Sequence, residues 1–583
     1  MSKSTNKRRD LLRLLAGVII VIMLNVLSSF LFTRFDLTAE KRYTLSEGTR
    51  RMLEDLDDVV YFKVYLDADF PQGAGDLKHL RDEVRIMLDE FRAYAGDNVQ
   101  YEFIDPSDNK DRKQREALYN QLEKKGLRFI NPRLTADEGG GVTRQKFFPG
   151  ALAIYRTQET PIQLYFTPTD QVIPTDVNKA VEKLEYELTN AIRKLQMNRK
   201  QKVAFIQGHG ELDSLYTADF AKALREYYTV SYQQIGGQLN ALRDTIQKAD
   251  QIRNKYDAII FARPLERIDE KDKFIIDQFI MYGGKVLWLL EPMEINYDSL
   301  AQRGSTMGLN DSTDVDDLLF RYGARVNNDL VLDMQCQYIP INMAPPGAQP
   351  QIEPRNWVYW PLVQPTDKHP IVKGLDLLKF NYAGTVDTLE TKAGIRKTIL
   401  LRSSKYSRIV KSPARIDLRT AFMQVNERMF DKSGLPMAVL LEGNFESAFK
   451  NRIPPKIASS REIGFKEKSK ETAMIIFGDG EIVANNYRNG IMESMGYDRL
   501  SEYTFANKEL LLNCMNYLCD DEGMMSLRSR ELSMRLLDKK KVAASRLNLQ
   551  LFNNLLPVGI IIFFGIIAFY VRRRKYGRKT TAA

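Results

Sequence analysis

The sequence predicts a mixed α/β body carried between two transmembrane helices. Three observations lead there: a charge-free apolar stretch near each end, short β-branched runs alternating with helical periodicity between them, and a formal charge of +10 confined to the termini. Residues 1–13 carry +4 and residues 572–583 carry +6, so the remainder is neutral. A nucleic-acid-binding surface needs its excess charge on the folded part, so no nucleic-acid partner is expected. At 44% hydrophobic and 10% aromatic residues, 583 residues can bury several cores, and disorder as the main state is excluded. Cys336, Cys514 and Cys519 are too few for a disulfide framework.

Residues 1–13 are a basic N-terminus. From Leu14 to Thr33, LLAGVIIVIMLNVLSSFLFT runs 20 residues without a charge. At ~1.5 Å per residue this crosses a hydrocarbon core of about 30 Å. A cleaved signal peptide also has a basic leader, but this apolar part is long and no Ala-x-Ala-like site follows, so an uncleaved anchor is expected. Leu555–Val571 supplies 17 further uncharged residues, with Pro557 near the first turn, where a missing N–H costs least. A buried core helix is the plainer alternative there, and the six basic residues that follow argue against it. Basic flanks stay cytoplasmic, and they precede the first stretch (Lys3, Lys7, Arg8, Arg9, Arg13) and follow the second (Arg572–Lys579). Both termini are therefore expected inside, with residues 34–554 on the far side and a cytoplasmic basic tail at 572–583.

Residues 34–176 begin with a helix that Ser46 can cap, running through Leu53. VVYFKVYL, a helical stretch from Leu77 to Tyr94, NVQYEFIDP, a polar helix near 110–125, GALAIYR and PIQLYF then follow. This order predicts a small thioredoxin-like α/β domain. It has no Cys-x-x-Cys, so redox chemistry is not expected. Residues 177–199, with Val181, Leu184, Leu188, Ile192 and Leu195 at spacings of three and four, read as a connector helix.

Residues 200–506 read as a doubly wound α/β domain with insertions. KVAFIQGHGE, YDAIIFARP and KVLWLLEP are short apolar runs separated by helices, as a sheet covered on both faces requires. DLVLD, KTILLRSS, MAVLLEG and AMIIFGDGE add strands to this sheet or to one beside it. NMAPPGAQPQIEP (342–354) and FESAFKNRIPPKIASS (445–460) are loops by composition, the latter a mobile one. Residues 507–554 read as a juxtamembrane helical segment.

Gly208, His209, Gly210 and Glu211 follow a strand and precede a helix, where doubly wound proteins place ligands. They form the candidate ligand- or partner-binding turn. As a dinucleotide fingerprint the turn lacks its third glycine, where Asp213 stands, and the ribose-binding acid. As a metal site, one histidine with nearby acids is a poor ligand set. The plainer alternative is a tight turn whose glycines allow positive φ and whose polar side chains satisfy the backbone. No Gly-x-Ser-x-Gly or Gly-x-Cys-x-Gly elbow and no G-x-x-x-x-G-K-[ST] loop occurs, so neither acyl transfer nor ATP hydrolysis has a candidate. No cofactor and no metal site is expected, and the chain is not expected to be an enzyme. A membrane-anchored hydrolase or metal-dependent enzyme using Gly208–Glu211 is the alternative. Trp357, Tyr359 and Trp360 in NWVYW are candidate interface aromatics, with core packing the commoner fate.

TAEKRYTLSEGT after the first anchor, LEYELTNAI, GHGE, DDLLFRYG with NNDLVLD, HPIVKGL, ILLRSSKYS and GDGEIVANN occur in an order that resembles the ABC-transporter auxiliary proteins, and among them the gliding-motility-associated GldG family. The resemblance covers nearly the whole chain. It implies a bacterial inner-membrane protein with a periplasmic body, partnered by an ABC-2-type permease and a separate cytoplasmic ATPase; membrane lipid is expected as a further contact from the two spans themselves. It also implies that the second domain is glutamine-amidotransferase-like but non-catalytic, since no cysteine stands at the elbow. The role so implied is non-enzymatic coupling or substrate binding in gliding motility and, by extension, surface-protein secretion.

Overall fold

The first strand, β1 (Val60–Val64), alternates fully buried Val60, Phe62 and Val64 with half-exposed Tyr61 and Lys63, the pattern of a strand that covers one core. The computed structural model describes residues 14–20, 23, 44–520 and 546–576, apart from 69, 71–73, 109–110, 136–141, 145, 168–171, 173, 197–199, 246–251, 311–312, 345–348, 350, 367–368, 391–393, 423–425, 456–458, 461–462 and 489. The body, Tyr43–Arg530, is one unit and the two chain ends are another.

Helix α1 (Glu47–Glu54) starts as predicted, with Ser46 Oγ accepting from the Thr49 N–H at 3.2 Å. After β1 come α2 (Gly75–Ala95), β2 (Val99–Phe103), α3 (Arg112–Lys124), the hairpin strands β3 (Gly150–Tyr155) and β4 (Gln158–Gln163), and α4 (Pro174–Gln196). The sheet order is β2-β1-β3-β4, with β1 and β2 parallel and the other pairs antiparallel. The helix read as a connector packs on the core of the first part and reaches the larger part through Lys194, which faces Glu226 at 3.8 Å. Val181, Leu184, Leu188, Ile192 and Leu195 of α4 are buried with Leu80, Val84, Leu88 and Phe91 of α2, so the helix is a wall of this core. Its apolar stripe is what draws it in. Glu185 on α4 also accepts from the Ser46 N–H at 2.8 Å and from Thr49 Oγ1 at 2.9 Å, tying the start of α1 to the same helix.

The larger part is built on seven strands. In chain order the elements used below are β5 (Lys202–Gln207), α5 (Ala218–Arg225), β6 (Thr229–Gln234), β7 (Ala258–Ala262), α6 (Glu270–Met281), β8 (Lys285–Leu289), β9 (Asp329–Asp333), β10 (Cys336–Asn342), β11 (Ile352–Val363), β12 (Arg396–Arg402), β13 (Ser407–Lys411), β14 (Pro436–Gly443), β15 (Thr472–Phe477) and α7 (Asn507–Leu518). The sheet runs β12-β14-β15-β8-β7-β5-β6. It is parallel from β15 through β6, while β14 is antiparallel to both neighbours. On β7, Ala258, Ile260 and Ala262 pack on the face covered by Phe220 of α5 and Leu511 of α7. Ile259 and Phe261 pack on the opposite face against Ile276 and Ile280 of α6. Burial on both faces explains the unbroken apolar runs.

The remaining strands depart from expectation in informative ways. β9 pairs with β13 outside the main sheet. β10 and β11 form a long hairpin that absorbs Asn342 and Ile352–Pro354, residues the loop composition pointed away from strand. Within the 445–460 stretch, Phe445 and Phe449 are buried and Ser447 Oγ donates to Asp277 at 2.7 Å, so its first part is fixed to α6. The juxtamembrane expectation for 507–554 is corrected over its first part: Leu510, Leu511, Cys514, Met515 and Leu518 of α7 lie in the sheet's core. Residues 521–545 lie outside the described residues.

Of the first predicted span, residues 14–20 are helical and the rest of 14–33, except 23, lies outside the described residues. The second falls inside α8 (Arg546–Tyr576), where the 25 residues Gln550–Arg574 hold an 18-residue window of mean hydropathy 2.3, none of it buried. Among the described residues it is the one helix long and apolar enough to cross a membrane.

Candidate functional site

The strands β5, β7, β8 and β15 are parallel, so their carboxyl ends share one end of the sheet, and β5 and β15 are each followed by a glycine-containing polar turn. After β5, Gly208 and Gly210 take φ of 116° and 73°, a conformation that leaves His209 between them facing inward. His209 is buried. Its Nδ1 lies 3.0 Å from Glu211 Oε1 and its Nε2 lies 2.9 Å from Asp272 Oδ2. Carboxylates only accept, so both ring nitrogens donate and the ring is an imidazolium. Burial pulls its pKa down, but the hydrogen bonds and charges of Glu211 and Asp272 outweigh that and hold it above the usual histidine value. Glu211 also accepts from the His209 N–H at 2.7 Å, and Asp272 Oδ1 from the Gly237 N–H at 2.7 Å.

The predicted turn therefore closes on itself. The His209 carbonyl accepts from the N–H groups of Leu265 and Glu266, so the turn also holds the segment after β7. The Glu211 carboxylate has no exposed surface, and no group of three or more metal-ligating side chains suited to an ion occurs among the described residues. A general base needs a free ring nitrogen within reach of substrate, and His209 has none free. What the sequence missed is Asp272, which lies 63 positions away on α6 and gives no local signal.

A second turn lies at the same end of the sheet, with β8 and β7 between. After β15, Gly478, Asp479, Gly480 and Glu481 repeat the spacing of Gly208–Glu211. A Cβ on Gly478 would meet the Gly384 carbonyl oxygen at 2.5 Å, and one on Gly480 would meet the Cα of Arg263 at 3.0 Å, so both glycines serve close backbone approach. Asp479 is fully buried and accepts from the N–H groups of Asn381 at 2.7 Å and Glu481 at 2.8 Å. Burial, with the Glu481 charge added, pushes its pKa up. Arg263, directly after β7 and at φ 57°, pairs with Glu481 across the strand ends.

Between these turns is a cavity of about 690 Å³. Its walls include Arg263, Lys379, Glu481 and Asp298, with Tyr216, Tyr297 and Tyr497 among the aromatic groups. Leu212, directly after Glu211, also lines it, whereas Gly208–Glu211 themselves do not. Lys379 lies over the Trp360 ring at 4.4 Å and faces Asp498 at 3.5 Å, and burial draws its pKa down against the charges of Asp498, Glu481 and Asp479. Trp360 thus backs the cavity wall. Trp357 and Tyr359 are only 1% and 5% exposed and pack with Tyr382 and Ile416, so neither ring is presented to a partner. Alternation on β11 sends both to the same buried face.

An α/β body with a polar crevice at its strand ends and a fully exposed apolar helix defines a membrane-associated protein with a site suited to binding. The family described as an ABC-type uncharacterized transport system, auxiliary type, matches residues 200–514. The chain belongs to this family, which makes it an auxiliary component of an ABC transport system. Residues 39–154 match a domain of unknown function, DUF7088. An uncharacterized protein of Borreliella burgdorferi is 22% identical over 98% of this chain and 99% of its own length. The solved N-terminal domain of mmIFT52 aligns over 54% of this chain and 96% of its own, at 12% identity and a TM-score of 0.30.

Proposed function

We propose that the protein is a non-enzymatic binding and coupling subunit of an ABC-2-type transporter, its periplasmic body tethered to the inner membrane by two spans with both termini cytoplasmic. Membership of the auxiliary family carries this reading, and α8, whose apolar side chains find no cover in the protein, supports it. The chain has no nucleotide loop, so energy would come from a separate cytoplasmic ATPase through the permease. The role in gliding motility and surface-protein secretion rests on the resemblance to the GldG family. The strand order β2-β1-β3-β4 supports a thioredoxin-like first domain, and the five-strand parallel run supports an amidotransferase-like second domain. Co-purification from detergent-solubilised native membranes tests the assignment. A permease and an ATPase are expected with the protein, and its recovery alone or only with itself would sink the coupling role.

A further inference from the structure

The cavity between the two strand-end turns goes beyond the transporter assignment, because what it binds does not depend on a permease. Its chemistry is distinctive. Many of its polar side chains are already committed: Asn507 holds both the N–H and the carbonyl of Lys379, Asn485 accepts from the Asp219 N–H, and Asn296 accepts from the Ser299 N–H. The charged groups retain capacity. Arg263 gives one guanidinium nitrogen to Glu481 and offers five donors in all, Lys379 meets Asp498 only at 3.5 Å, and Asp298 is exposed at the rim. Two cations and two anions thus line one space of about 690 Å³, within the ~300–1,000 Å³ typical of small-molecule sites. Tyr297 is partly exposed at the cavity, and its hydroxyl adds a donor.

We propose that this cavity binds a small zwitterion, a short peptide or amino acid with a free amine and a free carboxylate. The carboxylate is met by Arg263 and Lys379 and the amine by Glu481 and Asp298. A ligand of single charge engages only the cations or only the anions, and a capped neutral one engages neither, so selectivity follows from the number of charge-assisted hydrogen bonds formed. The tyrosines accommodate side chains without fixing their identity.

The test uses full-length protein in detergent, with trialanine as probe and three relatives: N-acetyl-trialanine, trialanine amide, and the doubly capped peptide. A ligand that binds only the folded state raises the melting temperature saturably. Trialanine is expected to do so, each singly capped form to bind at least tenfold more weakly, and the doubly capped form to give no shift. Asp298→Asn changes an exposed rim residue, so its fold is retained, and it is expected to weaken trialanine at least fivefold while leaving the ligand-free melting temperature unchanged. Lys379→Met is expected to weaken N-acetyl-trialanine further but not trialanine amide. Equal shifts from trialanine and the doubly capped peptide, or no shift from any probe on normally folded protein, would overturn the proposal. Either result leaves the permease partnership standing, since co-purification reads that separately.

Discussion

Replacing His209 by alanine removes the one cation between two buried carboxylates. Glu211 has no exposed side-chain surface and Asp272 has 9%, so neither regains water when the ring is lost. Removing one partner of a buried ion pair costs about 3–5 kcal/mol, more than the two hydrogen bonds alone, because the remaining charges stay desolvated. With a urea slope of roughly 3 kcal/mol per M, the midpoint should fall by about 1–1.7 M. Trp288, Trp357 and Trp360 all lie in the larger part of the body, so tryptophan fluorescence reports its unfolding. The pH dependence has a definite sign. His209 has a raised folded-state pKa, so its contribution is complete below the unfolded value of about 6.5 and is lost as pH rises through the folded value. The gap between wild type and His209→Ala should therefore be widest near pH 6 and narrow toward pH 9. A loss under about 1 kcal/mol, or a gap that does not vary with pH, would refute the imidazolium clamp.

Three further outcomes are expected. Gly480→Ala puts a methyl 2.7 Å from Arg263 Cγ and 3.0 Å from its Cα, and should destabilise by about 1–3 kcal/mol in the same urea assay. Asp277→Ala strips hydrogen bonds from Tyr322 Oη at 2.9 Å, Ser447 Oγ at 2.7 Å and the Ala448 N–H at 2.8 Å, and should cost about 3 kcal/mol or more, with Asp277→Asn recovering part. Ile562→Lys places a charge in the middle of the apolar stretch of α8, at a cost of about 2.5–3.5 kcal/mol for insertion. Carbonate extraction of membranes carrying a chain deleted for residues 1–33 should then release more of the variant than of its unmutated counterpart.

Much of the fold was legible because its signals are local. The runs in β5, β7, β8 and β15 are apolar on both faces and bounded by glycine or proline, which sets strand type without reference to distant residues. The antiparallel sense of β14 was not legible, since strand direction depends on how residues 290–435 return the chain to the sheet. The stripe of α4 was legible but its docking on α2 was not, because spacing shows that a helix has an apolar face but not what covers it. At the site, the glycines of Gly208–Glu211 were readable as a turn, yet its partner Asp272 was not. The equivalent Gly478–Glu481 turn went unread, its residues taken with the strand before them. Its meaning came only with Arg263, Lys379 and Asn381, which arrive from separate segments. Trp357 and Tyr359, two apart on one strand, carried a readable sign of shared burial, and Trp360 between the faces did not.

The sheet's connectivity has a consequence for biogenesis. β8 sits beside β15, so Val286 waits for Met474 before its backbone groups are paired on that side. A nascent chain emerging from its amino end therefore displays a bare, strongly apolar strand margin while residues 290–471 are delivered. Until α7 arrives to roof one side, premature collapse or pairing with a neighbouring nascent copy competes with correct closure. Successful maturation thus depends on timing, and a holdase that shields the β8 margin would serve this protein more than one that acts on its first domain.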